Sequence, residues 1–205
     1  MQMSLLGVVF GALIAAPLAV LATKTVSAAE NPGEARFMKV LRTAPYGAAR
    51  GLLNIMRTIP DLVWALLFIT AVGLGPFAGV LALTVHSAGL LGKLYAESME
   101  AVDSAPVDTL AATGAGGAAV FLWAVLPQAR APVVSVTLYQ WECNIRAAMV
   151  LGFVGAGGIG QRIDIAMRLF RYDEILTLLV LLLVLVTLVD RLSAILRKRL
   201  ALAAS

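Results

Sequence analysis

One cysteine, one histidine and few charges set the limits of this 205-residue sequence. Cys143 stands alone, so no internal disulfide is available and no cross-linked extracytoplasmic framework can form. His86 also stands alone, and no grouping of His, Cys, Asp and Glu has metal-ligand spacing, so no metal site is expected. There is no Ser-His-Asp constellation, no Walker loop and no GxGxxG after a strand. The chain is therefore not expected to be an enzyme on its own. Charged residues make up 14% and aromatic residues 7%, whereas soluble domains carry about 25% charged residues. A chain this poor in charge cannot cover its own apolar surface in water. The same numbers exclude disorder, which needs low hydrophobicity and high charge.

What is present is apolar: 60% of residues are hydrophobic and the mean hydropathy is +0.91. The class that follows is all-α integral membrane, with room for about five or six helices of roughly 20 residues. The net charge of +4 reads as basic cytoplasmic loops and not as a nucleic-acid surface, because no soluble basic domain exists to carry one.

The chain reads as one transmembrane domain over 1–205, with spans at about 3–23, 51–73, 77–95, 131–154 and 174–196. A signal peptide competes for the first run, because Ser27-Ala28-Ala29 follow it. The run's length and the lack of a basic residue ahead of it favour a retained helix. Counting from an outside N-terminus puts 24–57, 95–130 and 190–205 inside. The first of these holds Lys24, Arg36, Lys39, Arg42, Arg50 and Arg57, and the last holds Arg191, Arg197, Lys198 and Arg199. The outer turn at Gly73–Pro76 holds no basic residue, and the outer segment 155–174 holds Arg162, Arg168 and Arg171. Basic residues thus favour the inside, with the C-terminus cytoplasmic.

On the fourth span, Ser135, Tyr139, Glu142 and Arg146 recur at spacings of four, three and four and share one helical face. Glu142 precedes Arg146 by four residues, the favourable order for an ion pair on a helix. Charges in a span face a partner or a water-filled path, so this pair either fixes helix packing or lines a translocation path. Asn144 falls about 200° away and belongs to another face. Arg50, Asn54, Arg57 and Asp61 form a second stripe, explained by snorkelling and capping. Trp64 reads as packing, and His86 as a hydrogen-bonded core residue. Gly155, Gly157, Gly158 and Gly160 suit a tight outer turn or gate and close approach across a dimer.

Between the third and fourth spans, Glu97, Glu100, Asp103 and Asp108 make an acidic segment. Ser104 before Pro106 is a helix start and Gly114 an end. Such a segment is either a solvated loop helix or a docking knob.

The residues here carry a resemblance. Asp108-Thr-Leu-Ala-Ala-Thr-Gly114, nine residues, then Ala124-Val-Leu126-Pro127 resembles the EAA loop of ABC-importer permeases, with Asp108 in place of Glu and Thr109-Leu110 in place of the paired alanines. Leu53-Asn54-Ile-Met-Arg57-Thr-Ile59-Pro60-Asp61, Gly92-Lys93-Leu-Tyr-Ala-Glu97 and Leu138-Tyr139-Gln-Trp-Glu142-Cys-Asn144-Ile-Arg146 resemble the permease of phosphonate ABC importers. The Gly155–Gly160 run is shared also with methionine-type permeases. The resemblance covers nearly the whole chain. Family members usually carry one more N-terminal helix, so the start is either truncated or that of a short variant.

The resemblance implies the five-helix type I ABC importer permease core, methionine-permease-like, with a cytoplasmic coupling helix over 97–114. Glu97, Glu100, Asp103, Asp108, Gly114, Leu126 and Pro127 would couple it to the ATPase. It also implies a homodimer, two ABC ATPase subunits holding the ATP and Mg with no cofactor in this chain, and a periplasmic substrate-binding protein. The setting would be the bacterial inner membrane and its lipid. The cargo would be phosphonate or a related phosphorus oxyanion, phosphite or phosphate. Two alternatives stay open: the same architecture importing methionine or another small solute, or an ion-coupled secondary transporter using Glu142 and Arg146.

Overall fold

The computed structural model describes residues 1–23 and 36–202, with side chains over 1–23 and 44–198. Lys24 and Ser27-Ala28-Ala29 lie outside the described residues. Among the described residues no strand occurs. The helices are α1 (Gln2–Leu21), α2 (Arg36–Thr58), α3 (Asp61–Val72), α4 (Pro76–Glu100), α5 (Ser104–Ala112), α6 (Gly117–Ala156), α7 (Gly158–Arg168) and α8 (Tyr172–Leu202). Of the described helices, α1, α4, α6 and α8 are long and apolar enough to cross a membrane. A fifth crossing follows if the bent pair Ala44–Thr58 and Asp61–Val72 is one span.

That pair corrects the straight span expected over 51–73. The two helices meet at 88°, and the cause is Pro60, which lies extended at φ −56°, ψ 146°. Proline has no N–H for the carbonyl four residues back and pushes the preceding residue out of the helical region. The carbonyl it abandons, that of Met56, instead accepts a hydrogen bond from Trp64 Nε1 at 3.1 Å. The next carbonyl at the break, that of Ile59, accepts from His86 Nδ1 at 3.3 Å. Sequence reasoning made Trp64 a packing residue and His86 a hydrogen-bonded core residue; the hydrogen bond of His86 is present, and both side chains hold the bend. Trp64→Phe keeps the ring stack on Phe68, whose centroid lies 6.0 Å away, but leaves Met56 O unpaired. The expected cost is about 1–3 kcal/mol, read as a lowered midpoint in detergent unfolding. An unchanged midpoint would remove Trp64 from this role.

Helix α4 is the hub and packs against α1, α2, α3 and α6. Its contacts are made by small residues: Ala15 and Ala19 on α1 and Ala82 and Ala88 on α4 are fully buried. Small residues let helix backbones approach where lipid, being as apolar as leucine, supplies no hydrophobic drive. A Cβ on Gly7 would sit 2.6 Å from Leu83 Cβ, and one on Gly11 2.8 Å from Ser87 Cβ. One end of the bundle gathers the end of α1, Arg50 and Glu100. The other gathers Met3, the Gly73–Pro76 turn and Gly155–Gly158. By contrast α8 is peripheral, with 6% of its most apolar stretch buried. It displays Leu176, Leu183 and Leu188 outward, a surface suited to lipid or protein and not to water.

Candidate functional site

Two regions hold the chemistry read from the sequence: the short helix α5 at one end, and the polar residues of α6.

Helix α5 begins one residue after its cap. It starts at Ser104, as the sequence suggests, and Asp103 is the N-cap, its Oδ1 accepting from Ala105 N at 3.1 Å. An acidic cap suits the positive end of the helix. Gly114 leaves the helix at φ +80°, where a side chain is strained. Glu97 and Glu100 are not on this helix. They end α4, where Glu97 pairs with Lys93 at 3.4 Å and Glu100 with Arg50 at 2.7 Å. The expected 97–114 unit is therefore the tip of α4 joined to a nine-residue helix, and its acidic face divides between them.

Beyond Leu126 and Pro127, sequence reasoning overlooked Gln128. Its Oε1 accepts from Asp103 N at 3.1 Å, while its Nε2 donates to Ala124 O at 2.8 Å. Gln128 thus ties the start of α5 to α6, just past the π turn in that helix. Directly before it, Phe121–Val125 forms a wide π turn in which Leu126 N reaches back to Phe121 O. Pro127, unable to donate, accounts for the widening. A surface groove of about 520 Å³ lies along α5, lined by Pro106, Thr109, Leu110 and Trp123 among others. Trp123 is 77% exposed there.

On α6 the expected Glu142–Arg146 pair does not form. Glu142 is buried and its Oε1 lies 2.9 Å from Arg197 Nη1 on α8. Arg197, taken as part of a cytoplasmic tail, belongs to one continuous 31-residue helix, and this continuity brings it to Glu142. Arg146 is exposed and makes no ion pair among the described residues. Its Nη2 contacts Cys143 Sγ at 3.6 Å, and Asp190 of α8 is within electrostatic range. Tyr139 is exposed one turn before Cys143, and Ser135 is half-buried. Tyr139, Cys143 and Arg146 therefore make an open stripe, from which Glu142 has been withdrawn.

The opposite face of α6 is closed by polar contacts. Asn144 Nδ2 donates to Ser87 Oγ at 2.8 Å and Gln140 Nε2 to Asn144 Oδ1 at 3.0 Å, all three side chains being buried. Asn144 sits where its 200° offset implies. Gln140, one turn earlier, was the overlooked signal.

The glycine run makes a turn within the chain. Gly155 and Gly157 have φ of +95° and +88°, and Gly155 O accepts from Gly75 N at 3.1 Å. A Cβ on Gly155 would collide with Leu74, and one on Gly157 would lie 3.0 Å from Pro76 Cγ. Gly158 is also at positive φ, while Gly160 lies within α7. The close approach seen is therefore between this run and the 73–76 turn. Gly155→Val should lower the unfolding midpoint, at about 1–2 kcal/mol for the left-handed backbone alone; a wild-type midpoint would remove the turn from the stability account.

Comparison with known proteins bears on this arrangement. Residues 35–202 match the model of the binding-protein-dependent transport system inner membrane component family. The chain belongs to that family. It is a multi-pass inner-membrane permease component. Over 166 residues it is 46% identical to the phosphite transport system permease protein PtxC of Stutzerimonas stutzeri, covering 79% of this chain and 60% of that one. Over 185 residues it is 36% identical to the phosphate-import permease protein PhnE of Mycolicibacterium smegmatis, covering 88% of this chain and 34% of that one. The permease thus spans about 60% of the first of these relatives and a third of the second. Its backbone resembles an inward-facing structure of the MetNI methionine ABC transporter, with a TM-score of 0.77 at 22% identity over 97% of this chain and 91% of that one. That likeness carries the fold, which is the all-α type I importer permease core expected from the sequence.

Proposed function

We propose that this permease is the membrane-spanning subunit of an ABC importer that moves phosphonate or a related phosphorus oxyanion, phosphite or phosphate, inward. Alternating access is driven by ATP hydrolysis on two partner ATPase subunits, and a periplasmic binding protein delivers the cargo. The carrying observation is Arg146, an exposed guanidinium on a membrane-crossing helix without a carboxylate paired to it. A charge at mid-membrane costs about 2.5–3.5 kcal/mol on insertion scales, so it faces a partner or a watery path. The guanidinium fork matches the oxygens of a phosphorus oxyanion, and the identity to a phosphite permease supports that class of cargo.

In this reading a second copy packs against the first, so that the Tyr139–Cys143–Arg146 stripe faces a shared path. The chain is one transmembrane domain with the N-terminus outside and the C-terminus cytoplasmic. Helix α5, with the Trp123-lined groove beside it, docks on the ATPase. Its tie through Gln128 supports transmission of ATPase motion into α6, and the Gly155–Gly160 turn closes the outer end.

The test is reconstitution with the ATPase and binding protein in vesicles. Uptake of radiolabelled phosphite that requires ATP and survives a proton uncoupler is the expected result. Uptake abolished by the uncoupler and indifferent to ATP would favour an ion-coupled carrier instead, and competition by methionine but not by phosphonate would reassign the cargo.

A further inference from the structure

A second polar region lies on other helices and plays no part in the reading above. At the end of the bundle where α1 finishes, a cleft of about 330 Å³ opens between α1, α2 and α4. It is lined by Ala22, Arg50, Leu53, Asn54, Arg57, Lys93, Ala96 and Glu97. Arg50, Asn54 and Arg57 follow one another at helical spacing along α2 and meet Lys93 and Glu97, one turn apart on α4. The two helices are pressed together beneath the cleft. A Cβ on Gly92 would collide with Leu53, and one on Gly89 would lie 2.6 Å from the backbone nitrogen of Arg57. Leu53 and Ala96, both buried, form an apolar floor, so the walls carry the polarity.

The unused hydrogen-bonding capacity of those walls is almost entirely donor capacity. Arg50 is fixed in place: its Nε donates to Ala22 O at 3.1 Å, its Nη2 to Glu100 Oε1 at 2.7 Å, and its guanidinium lies 4.9 Å from the centre of the Tyr46 ring. Nη1 is the nitrogen left over. Arg57 spends only Nε, on Asn54 Oδ1 at 3.1 Å, and forms no ion pair among the described residues. That bond also orients Asn54, leaving its Nδ2 to donate. Lys93 holds Glu97 at 3.4 Å across a half-exposed pair, a contact weak enough for an anion to displace. The cleft lining sums to an excess of positive charge, because Arg50, Arg57 and Lys93 outnumber Glu97. Snorkelling explains one such side chain reaching for water. It does not explain three cations on two helices converging with an oriented amide on one concavity.

We propose that this cleft binds a phosphoryl or phosphonyl oxyanion, held by the free guanidinium nitrogens of Arg57 and Arg50, Lys93 Nζ and Asn54 Nδ2. Tetrahedral oxyanions offer several acceptors in a small volume, which suits a set of converging donors with two planar forks. The ligand has two possible sources with the same chemistry. One is a free anion. The other is the phosphate of an anionic lipid headgroup, since α2 turns 88° from α3 and basic pockets between helices at a membrane surface bind such headgroups. The proposal does not rest on transport, because Arg146 and α6 contribute nothing to the cleft.

The experiment uses the full-length permease in nanodiscs of phosphatidylcholine alone or doped with phosphatidylglycerol. Phosphorus NMR follows inorganic phosphate binding, and native mass spectrometry follows retained phosphatidylglycerol. The double variant Arg57→Gln/Lys93→Gln should weaken the relevant ligand at least tenfold, while Arg191→Gln, an exposed arginine on α8, should bind like the wild type. Saturable phosphate binding in phosphatidylcholine, lost in the double variant, supports the site with a free anion as its ligand. Phosphatidylglycerol retained by the wild type and lost by the double variant supports it with a headgroup. Equal behaviour of the double variant and wild type in both arms overturns the proposal. Should the double variant fail to fold, Asn54→Asp decides: it keeps the acceptor for Arg57 and replaces a donor with a negative charge, so wild-type binding there overturns the proposal equally.

Discussion

Arg197→Met should destabilise the permease by about 2–4 kcal/mol, and adding Glu142→Gln in the same chain should restore most of the loss. Removing one partner of a buried ion pair costs about 3–5 kcal/mol, chiefly because the other charge stays buried and unpaired. The lower range applies because the Arg197 side chain is 27% exposed, although that of Glu142 is only 7% exposed. The pair also joins α6 to α8, a helix otherwise so little buried that it has few alternative anchors. Replacing both charges removes the stranded carboxylate and leaves hydrogen-bonding and apolar groups of similar size. The measurement is a double-mutant cycle on unfolding midpoints of the purified protein. A double variant as unstable as the single one would mean that Arg197 acts through packing and not through the charge of Glu142.

The same pair marks the limit of what the sequence discloses. Apolar runs showed the membrane class and the helices, because a span needs length and hydrophobicity and both are local properties. The short helix between α4 and α6 was visible for a similar reason, since caps and glycine exits are written in a few consecutive residues. The ion pair was not. Glu142 lies four residues from one arginine and 55 from another, and helical periodicity speaks only for the near one. Arg197 wins because α8 does not stop at the membrane edge suggested by composition but continues as one helix to Leu202. The bend at Pro60 was half legible: proline predicts a break, but the apolar run continues through it and reads as a straight span. The residues that make the bend tolerable, Trp64 and His86, each satisfy a carbonyl whose exposure exists only after folding. Gln128 belongs with them, because its bond to Asp103 joins residues 25 apart in sequence, on different helices.

Losing Glu142 as the neighbour of Arg146 sharpens the transport prediction. Paired with Glu142, as its spacing suggested, Arg146 would carry a partly neutralised charge and hold an anion less tightly. With Glu142 committed to Arg197, any softening falls to Asp190 of α8. Arg146→Ala should therefore reduce ATP-dependent phosphite uptake at least tenfold, a barrier increase of about 1.4 kcal/mol or more, with complex assembly unchanged because Arg146 is exposed and anchors no neighbouring helix. Arg146→Lys should fall between, retaining the charge but losing the fork. Asp190→Asn should tighten the hold on the anion and slow its release, lowering the concentration for half-maximal uptake together with the maximal rate. Glu142→Gln supplies the contrast, since its loss should appear in stability and yield before it appears in uptake per assembled complex. If Arg146→Ala transports at the wild-type rate in assembled complexes, the stripe packs against a second copy or lipid, and the oxyanion path lies elsewhere.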